Sequence, residues 1–166
     1  MSGVAGTTPA RPRRRTVARA AAVQALYQSE QAGVSAETVI DEFVRHRLGS
    51  PPGAGGFEEG RVPDADVPLF ARVVRAAALH GEVLDGMIAG SLAEDWPLGR
   101  LDPVLRALLR AGAGELHDGT GAPAKVVINE YLDVAHGFLA GDEPGMVNAI
   151  LEKLARTLRP DEFGGG

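Results

Sequence analysis

Three apolar stripes in the second half of the chain each follow a proline, and this pattern restricts the fold more than any other feature. Asp102-Pro103 precedes Leu105, Leu108 and Leu109. Pro123 precedes a run from Val126 through Tyr131, Leu132, Ala135, Phe138 and Leu139. Pro144 precedes Val147, Ile150, Leu151, Leu154 and Leu158. Proline lacks an N–H and has a fixed φ, so it suits the first turn of a helix and little else that is regular. Spacings of three and four then place the apolar groups on one face of that helix. Val126-Val127-Ile128 alone would suit a strand, but its continuation has helical period. Asp102 offers a carboxylate to the unpaired amides of its helix. Gly112 and Gly114 weaken the end of that helix by about 1 kcal/mol each relative to alanine.

The first half reads the same way with weaker punctuation. A helix is expected from Arg13 to Ala32, with Ala20, Val23 and Tyr27 inward and Gly33 as its stop. Ser35 caps a second helix to Arg47, whose stripe is Val39, Ile40, Phe43 and Val44. Asp66 and Pro68 open a third, with Val67, Phe70, Val73, Val74 and Ala77 inward, which bends or breaks at His80-Gly81. Its continuation holds Val83, Leu84, Met87 and Ile88, and Trp96-Pro97 marks a loop. Residues 48–65 hold Pro51, Pro52 and several glycines, which predicts a long flexible loop inserted in the domain. The expectation is an all-α chain of about seven helices with no sheet. A disordered tail over 1–12 precedes a single helical domain over 13–159, and a C-terminal tail covers 160–166.

Composition agrees. The 166 residues are 45% apolar but only 5% aromatic, so the core is built mainly from Ala, Leu and Val. Cysteine is absent, which removes disulfides, thiolate metal sites and a Cys nucleophile, and fits a cytoplasmic protein. No apolar run reaches the length of about 20 residues that a membrane span needs. Arg13–Arg15 ahead of Val17–Leu26 is unlike an export signal, because Arg19 and Gln24 interrupt the apolar stretch and no clear cleavage site follows.

The chain is equally bare of catalytic patterns. Gly119 to Lys125 superficially resembles a phosphate loop, but alanine precedes the lysine, no Ser or Thr follows it, and no strand leads in. His46, His80, His117 and His136 fall on separate segments without metal-ligand spacing. Neither a nucleophile–base pair nor a cofactor or metal site is evident, and the expectation is a non-enzyme.

Charge is distributed unevenly. The net charge is −5, yet the first 30 residues carry about +4, leaving about −9 for the rest. A basic arm on an acidic body suggests one surface for a polyanion and another for a basic partner. The arm can be a solubilising terminus, as arginine-rich termini often are. Alternatively, because Arg13, Arg14, Arg15 and Arg19 run straight into an amphipathic helix, they are guanidiniums presented on a rigid edge. Arginine offers forked donors to phosphate and a plane for stacking on bases. A small, net-acidic chain without a groove-reading motif favours single-stranded RNA over duplex DNA.

Several blocks together resemble the NusB transcription antitermination family. They are Arg13-Arg14-Arg15 through Arg19 to Val23-Gln24-Ala25-Leu26-Tyr27-Gln28; Trp96-Pro97-Leu98 with Arg100-Leu101-Asp102; Leu105 to Arg110 and on to Glu115-Leu116; Lys125 to Glu130; and Val147-Asn148. They come in family order. The resemblance implies two packed helical bundles and a protein that binds boxA, a single-stranded element of ribosomal RNA transcripts. It does so with the small ribosomal protein NusE, within the antitermination complex on RNA polymerase. It also implies an RNA surface of Arg13, Arg14, Arg15, Arg19 and Tyr27, with Asp142, Gly145 and Met146 from the loop before the last helix. Relatives often carry a basic residue and a phenylalanine where Gly145-Met146 stands, and an aromatic where Gly114 stands, which is expected to thin the core locally. Asn129 and Glu130 are expected to be solvent-exposed helix-start residues, and Trp96 a core anchor. A detached relative of the N-terminal domain of ribosomal RNA cytosine methyltransferases and a protein-only adaptor are the alternatives, and a homodimer is an assembly that apolar helix faces permit.

Overall fold

The computed structural model describes residues 11–48, 65–94, 96–119 and 121–164, with side chains from Arg14 onward. Residues 1–10 of the tail expected over 1–12, and most of the 48–65 loop, lie outside the described residues. Among the described residues seven α-helices follow one another: α1 (Arg11–Ala32), α2 (Ala36–His46), α3 (Val67–Leu79), α4 (Gly81–Ser91), α5 (Pro103–Asp118), α6 (Ala124–Phe138) and α7 (Glu143–Leu158). Short 3-10 turns cover Leu98–Arg100 and Pro160–Phe163. There is no strand among the described residues.

The caps explain where the helices start. Ser35 accepts from the Thr38 N–H at 3.1 Å, Asp66 from the Leu69 N–H at 3.1 Å, and Asp102 from the Val104 N–H at 2.8 Å. Each satisfies an amide that the first turn leaves unpaired. His80 ends α3 and begins α4 in one residue, so the anticipated bend is a break between two helices.

Helices α1 to α3 make one bundle and α4 to α7 the other, with α5 packed against α1 and α3 as well as against its own bundle. One continuous apolar core runs through both. Phe43 and Phe70 stack in it, ring centroids 5.5 Å apart. Leu48 and Ala65 are both buried, so the two ends of the expected loop belong to the core.

The structure departs from the expected pattern in α1. Its buried face consists of Ala18, Ala21, Ala22, Val23 and Ala25, while Ala20 is only half-buried and Tyr27 is exposed. Alanine is the smallest side chain that still favours helix, and it lets α2, α3, α5 and α6 all approach α1. The helix also starts at Arg11, two residues earlier than expected. Trp96 is 49% exposed rather than a core anchor. The C-terminal tail is corrected too: Pro160–Phe163 forms a turn, Phe163 packs on the core, and Arg159 just ahead of it is buried.

Candidate nucleic-acid interface

The site begins with the first two turns of α1. Arg13 and Arg14 lie on the first of these, although nothing is described of the Arg13 side chain. Arg14 is half-buried, and its carbonyl accepts the Asp66 N–H at 3.3 Å. Arg15 is exposed, and no carboxylate among the described residues pairs with it. The next turn of the same helix is already inside the protein, with Ala18 and Arg19 buried. Arg15 is therefore held on a support that cannot fray independently of the core.

Arg19 is a correction. The sequence reading places it with the exposed arm, yet it is only 2% exposed. Its Nε and Nη2 grip both oxygens of Glu115 on α5, at 2.9 and 2.6 Å, and its Nη1 donates to Glu130 on α6 at 2.9 Å. Tyr131 donates its hydroxyl to Glu115 at 3.0 Å, and Thr16 donates to Glu130 at 2.7 Å. Each of the three guanidinium nitrogens donates to a carboxylate inside the protein, and at this depth none is open to a strand outside. Burial works against the charge, but the paired carboxylates outweigh it and raise the Arg19 pKa, so the ion stays charged. Burial first, and the Glu115 charge second, keep the Tyr131 phenol protonated well above its ordinary range. Glu130 is half-buried in this network rather than solvated.

Glu115 and Arg19 were detectable as a pair. Glu115 lies seven residues beyond Leu108, two turns along the same apolar stripe, and Arg19 lies four before Val23. Opposite charges on two buried stripes indicate a buried ion pair. The Arg triplet ahead of Arg19 drew that residue to the arm instead.

Beyond Arg15 a groove of about 610 Å³ opens between α1, α3 and the turn into α6. Arg72 of α3 lines it together with Arg15, and Gly121, Pro123 and Val126 form part of the wall. That turn is firmly held. The buried Arg159 guanidinium donates to the carbonyls of Leu116, Glu115 and Ala122 at 3.0, 2.9 and 2.7 Å, and Glu162 accepts the Ala124 N–H at 2.8 Å. That amide, opposed by burial and aided by Arg159, holds the Glu162 carboxyl below its usual range.

The remaining expected residues sit elsewhere. Arg15 and Val126 line the same groove, and Thr16 and Arg19 both reach Glu130, so the start of α1 packs against the first half of α6. Tyr27 lies twelve residues past Arg15, about 18 Å along the helix. Tyr27 is 38% exposed and Phe138 41%. Asp142 and Gly145 are exposed at the start of α7, and Met146 is half-buried against the core. The arm and Tyr27 are thus more than three turns apart on α1. A ligand touching both is an extended strand.

A second ionic cluster ties the far end of α1 to α4 and α5. Glu30 accepts from Arg106 and from Arg110, each at 2.5 Å, and Arg110 also pairs with Asp85 at 2.8 Å. The Arg106 hydrogen bond, opposed by partial burial and aided by Arg110, lowers the Glu30 pKa from 4.5 to about 2. A carboxylate whose folded pKa is depressed contributes stability that is complete above its unfolded pKa and lost as pH falls through the folded value. The stability gap between the protein and its Glu30→Gln variant is therefore expected to be constant above about pH 5 and to shrink toward pH 2. Denaturant midpoints across that range test it, and a gap that does not change with pH would contradict the role given to Glu30.

Among the described residues no group of three or more His, Cys, Asp or Glu is placed to hold a metal ion. No described helix is long and apolar enough to cross a membrane.

Fold and site together define an all-helical, two-bundle protein with a cationic edge at the start of its first helix. Comparison with known proteins makes this specific. The model of the NusB family matches residues 16–156. A transcription antitermination protein NusB of Granulibacter bethesdensis is 63% identical over 93% of this chain and 95% of its own length. Its counterpart from Gluconobacter oxydans is 54% identical over 87% of this chain and 88% of its own. A solved T. maritima NusB structure superposes with a TM-score of 0.71 at 25% identity, covering 95% of this chain and 98% of that one. The chain belongs to the NusB family. These relatives are matched along nearly their whole length, as proteins of this size and not as one domain of a longer enzyme.

Proposed function

We propose that this chain acts as a transcription antitermination factor by binding a boxA-like single-stranded RNA from ribosomal RNA operons, in the cytoplasm and jointly with the ribosomal protein NusE. The RNA contacts are Arg13, Arg14 and Arg15 at the start of α1, Tyr27 further along it, and Asp142, Gly145 and Met146 at the start of α7. Arg19 supports the arm from inside and touches no nucleotide.

The observation that carries this reading is the placement of Arg15. Cations at a helix N-terminus oppose the helix dipole, and α1 has no acidic residue in its first turn to offset them. Arg15 therefore does not serve the stability of α1. A phosphate placed there relieves the repulsion and meets the helix's free amides as well. Local choices that work against the fold mark functional positions. The excess of acid over the rest of the chain suits a basic ribosomal protein on another face.

Titration of a labelled boxA-type RNA across a range of salt concentrations tests the proposal. Each phosphate neutralised on a single strand contributes about −0.7 to the slope of log K against log salt. With Arg19 removed from the contacts, a slope of about −1.4 to −2 is expected, for two or three phosphates. Added NusE should tighten binding, and Arg15→Ala should weaken it and flatten the slope. Equal affinity for the RNA and for an unrelated duplex, or no gain from NusE, defeats the corresponding part.

A further inference from the structure

The groove beside Arg15 contains a second cation that the arginine-rich arm does not account for. Arg72 comes from α3, more than fifty residues away in sequence, and lines the groove that Arg15 lines. Its pairing is loose: Nε stands 3.6 Å from an Asp118 oxygen, and the side chain is 45% exposed. Its Nη2 lies over Gly121, 2.8 Å from where a Cβ would project. A side chain at that position would displace the guanidinium, so the glycine keeps the space that Arg72 occupies. Gly121 also has φ +82, a conformation that other residues rarely adopt.

The other charges of the groove are already committed. Asp66 spends its carboxylate on the Leu69 N–H, and Arg19 is matched by Glu115 and Glu130 behind the wall. Arg15 and Arg72 remain facing the opening, above an apolar wall that includes Leu69, Pro123 and Val126. Two guanidiniums over an apolar surface fit a nucleotide, with its phosphate between the forks and its sugar or base against the wall. Arg159 and Glu162 fix the turn, so the wall is formed before the ligand arrives.

We propose that Arg15 and Arg72 form a clamp for one phosphate of the bound RNA strand, with the Gly121–Pro123 turn and Val126 as the surface against which that nucleotide rests. The clamp extends the interface from α1 onto α3, and it rests on the reading of the chain as a single-strand RNA binder.

The experiment measures affinity for a labelled single-stranded boxA-type RNA against salt for the full chain and three variants. Arg72→Ala should reduce the slope by up to about 0.7, the whole share of the one phosphate it holds with Arg15, which at that limit is about a fivefold loss of affinity per decade of salt below 1 M. Asp118→Asn removes the competing carboxylate from the end of α5, where the helix dipole already disfavours it, and should tighten binding. Arg45→Ala, at an exposed pair with Asp41 on α2, should change nothing. If the unaltered protein binds while Arg72→Ala matches it in affinity and slope, the clamp is wrong and the RNA reading stands. If the unaltered protein does not bind, both fall.

Discussion

Arg19→Ala is expected to destabilise the protein by about 3–5 kcal/mol, the range for breaking a buried ion pair from one side. The truncation leaves Glu115 only 1% exposed, with the Tyr131 hydroxyl as its one remaining partner in the network. An uncompensated carboxylate at that depth must take up a proton or unfold the surrounding packing. Glu130 loses a partner too, but it is nearer solvent and keeps Thr16. A denaturant titration reads the loss directly as a lower midpoint with an unchanged slope. Replacing both partners, as in Arg19→Met with Glu115→Leu, should recover most of it, because apolar groups of similar volume leave no unpaired charge. An Arg19→Ala midpoint within about 0.5 kcal/mol of the starting protein, the level of an ordinary surface change, would mean the network is dispensable. The prediction also guards the functional experiment. Loss of RNA binding in Arg19→Ala reports unfolding, so it should disappear when binding is measured on the folded fraction.

The difficulty with Arg19 shows which parts of this protein can be read from sequence. Helix number and position were accessible because each start is local chemistry: Ser35, Asp66 and Asp102 cap the helices that follow them. The stripes of α5 and α7 were accessible because leucine and isoleucine are large enough to reveal which face is inward. The face of α1 was harder to assign. Alanines surround it, and periodicity cannot distinguish Ala18 and Ala22, which are fully buried, from Ala20, which is not. Charge was read through composition, which sums Arg15 and Arg19 as equals. The spacing of Arg19 to Val23 and of Glu115 to Leu108 separates them, and the packing of α5 and α6 against α1 shows how, one facing outward and the other locked between two carboxylates. The Arg72 contribution to the groove had no sequence signal at all, since the turn that completes it lies almost fifty residues further on.

Gly114 gives the same lesson in the opposite direction and supports the second large prediction. A glycine inside a helix is ordinarily a weakness, and replacing it by alanine gains up to about 1 kcal/mol where space allows. Gly86 of α4 meets that condition, with nothing within 4 Å of an added Cβ, so Gly86→Ala should stabilise the protein. Gly114 does not. A Cβ there would lie 2.9 Å from the Ala77 nitrogen and 3.0 Å from its Cα, and both are backbone atoms of a neighbouring helix. The glycine does not thin the core; it is the point at which α3 and α5 come into backbone contact. Ala77 is itself small and buried, so neither side can retreat without moving a whole helix. Overpacking of this kind costs about 1–3 kcal/mol, which exceeds the propensity gain, and Gly114→Ala should be net destabilising. A larger residue such as leucine should cost more, since it must push α5, which carries Glu115, further from α3. The opposite signs of Gly86→Ala and Gly114→Ala are the measurement. A gain in melting temperature for both would mean that α3 and α5 are not in the close register described, and the ion pair one residue further along α5 would need to be reconsidered with it.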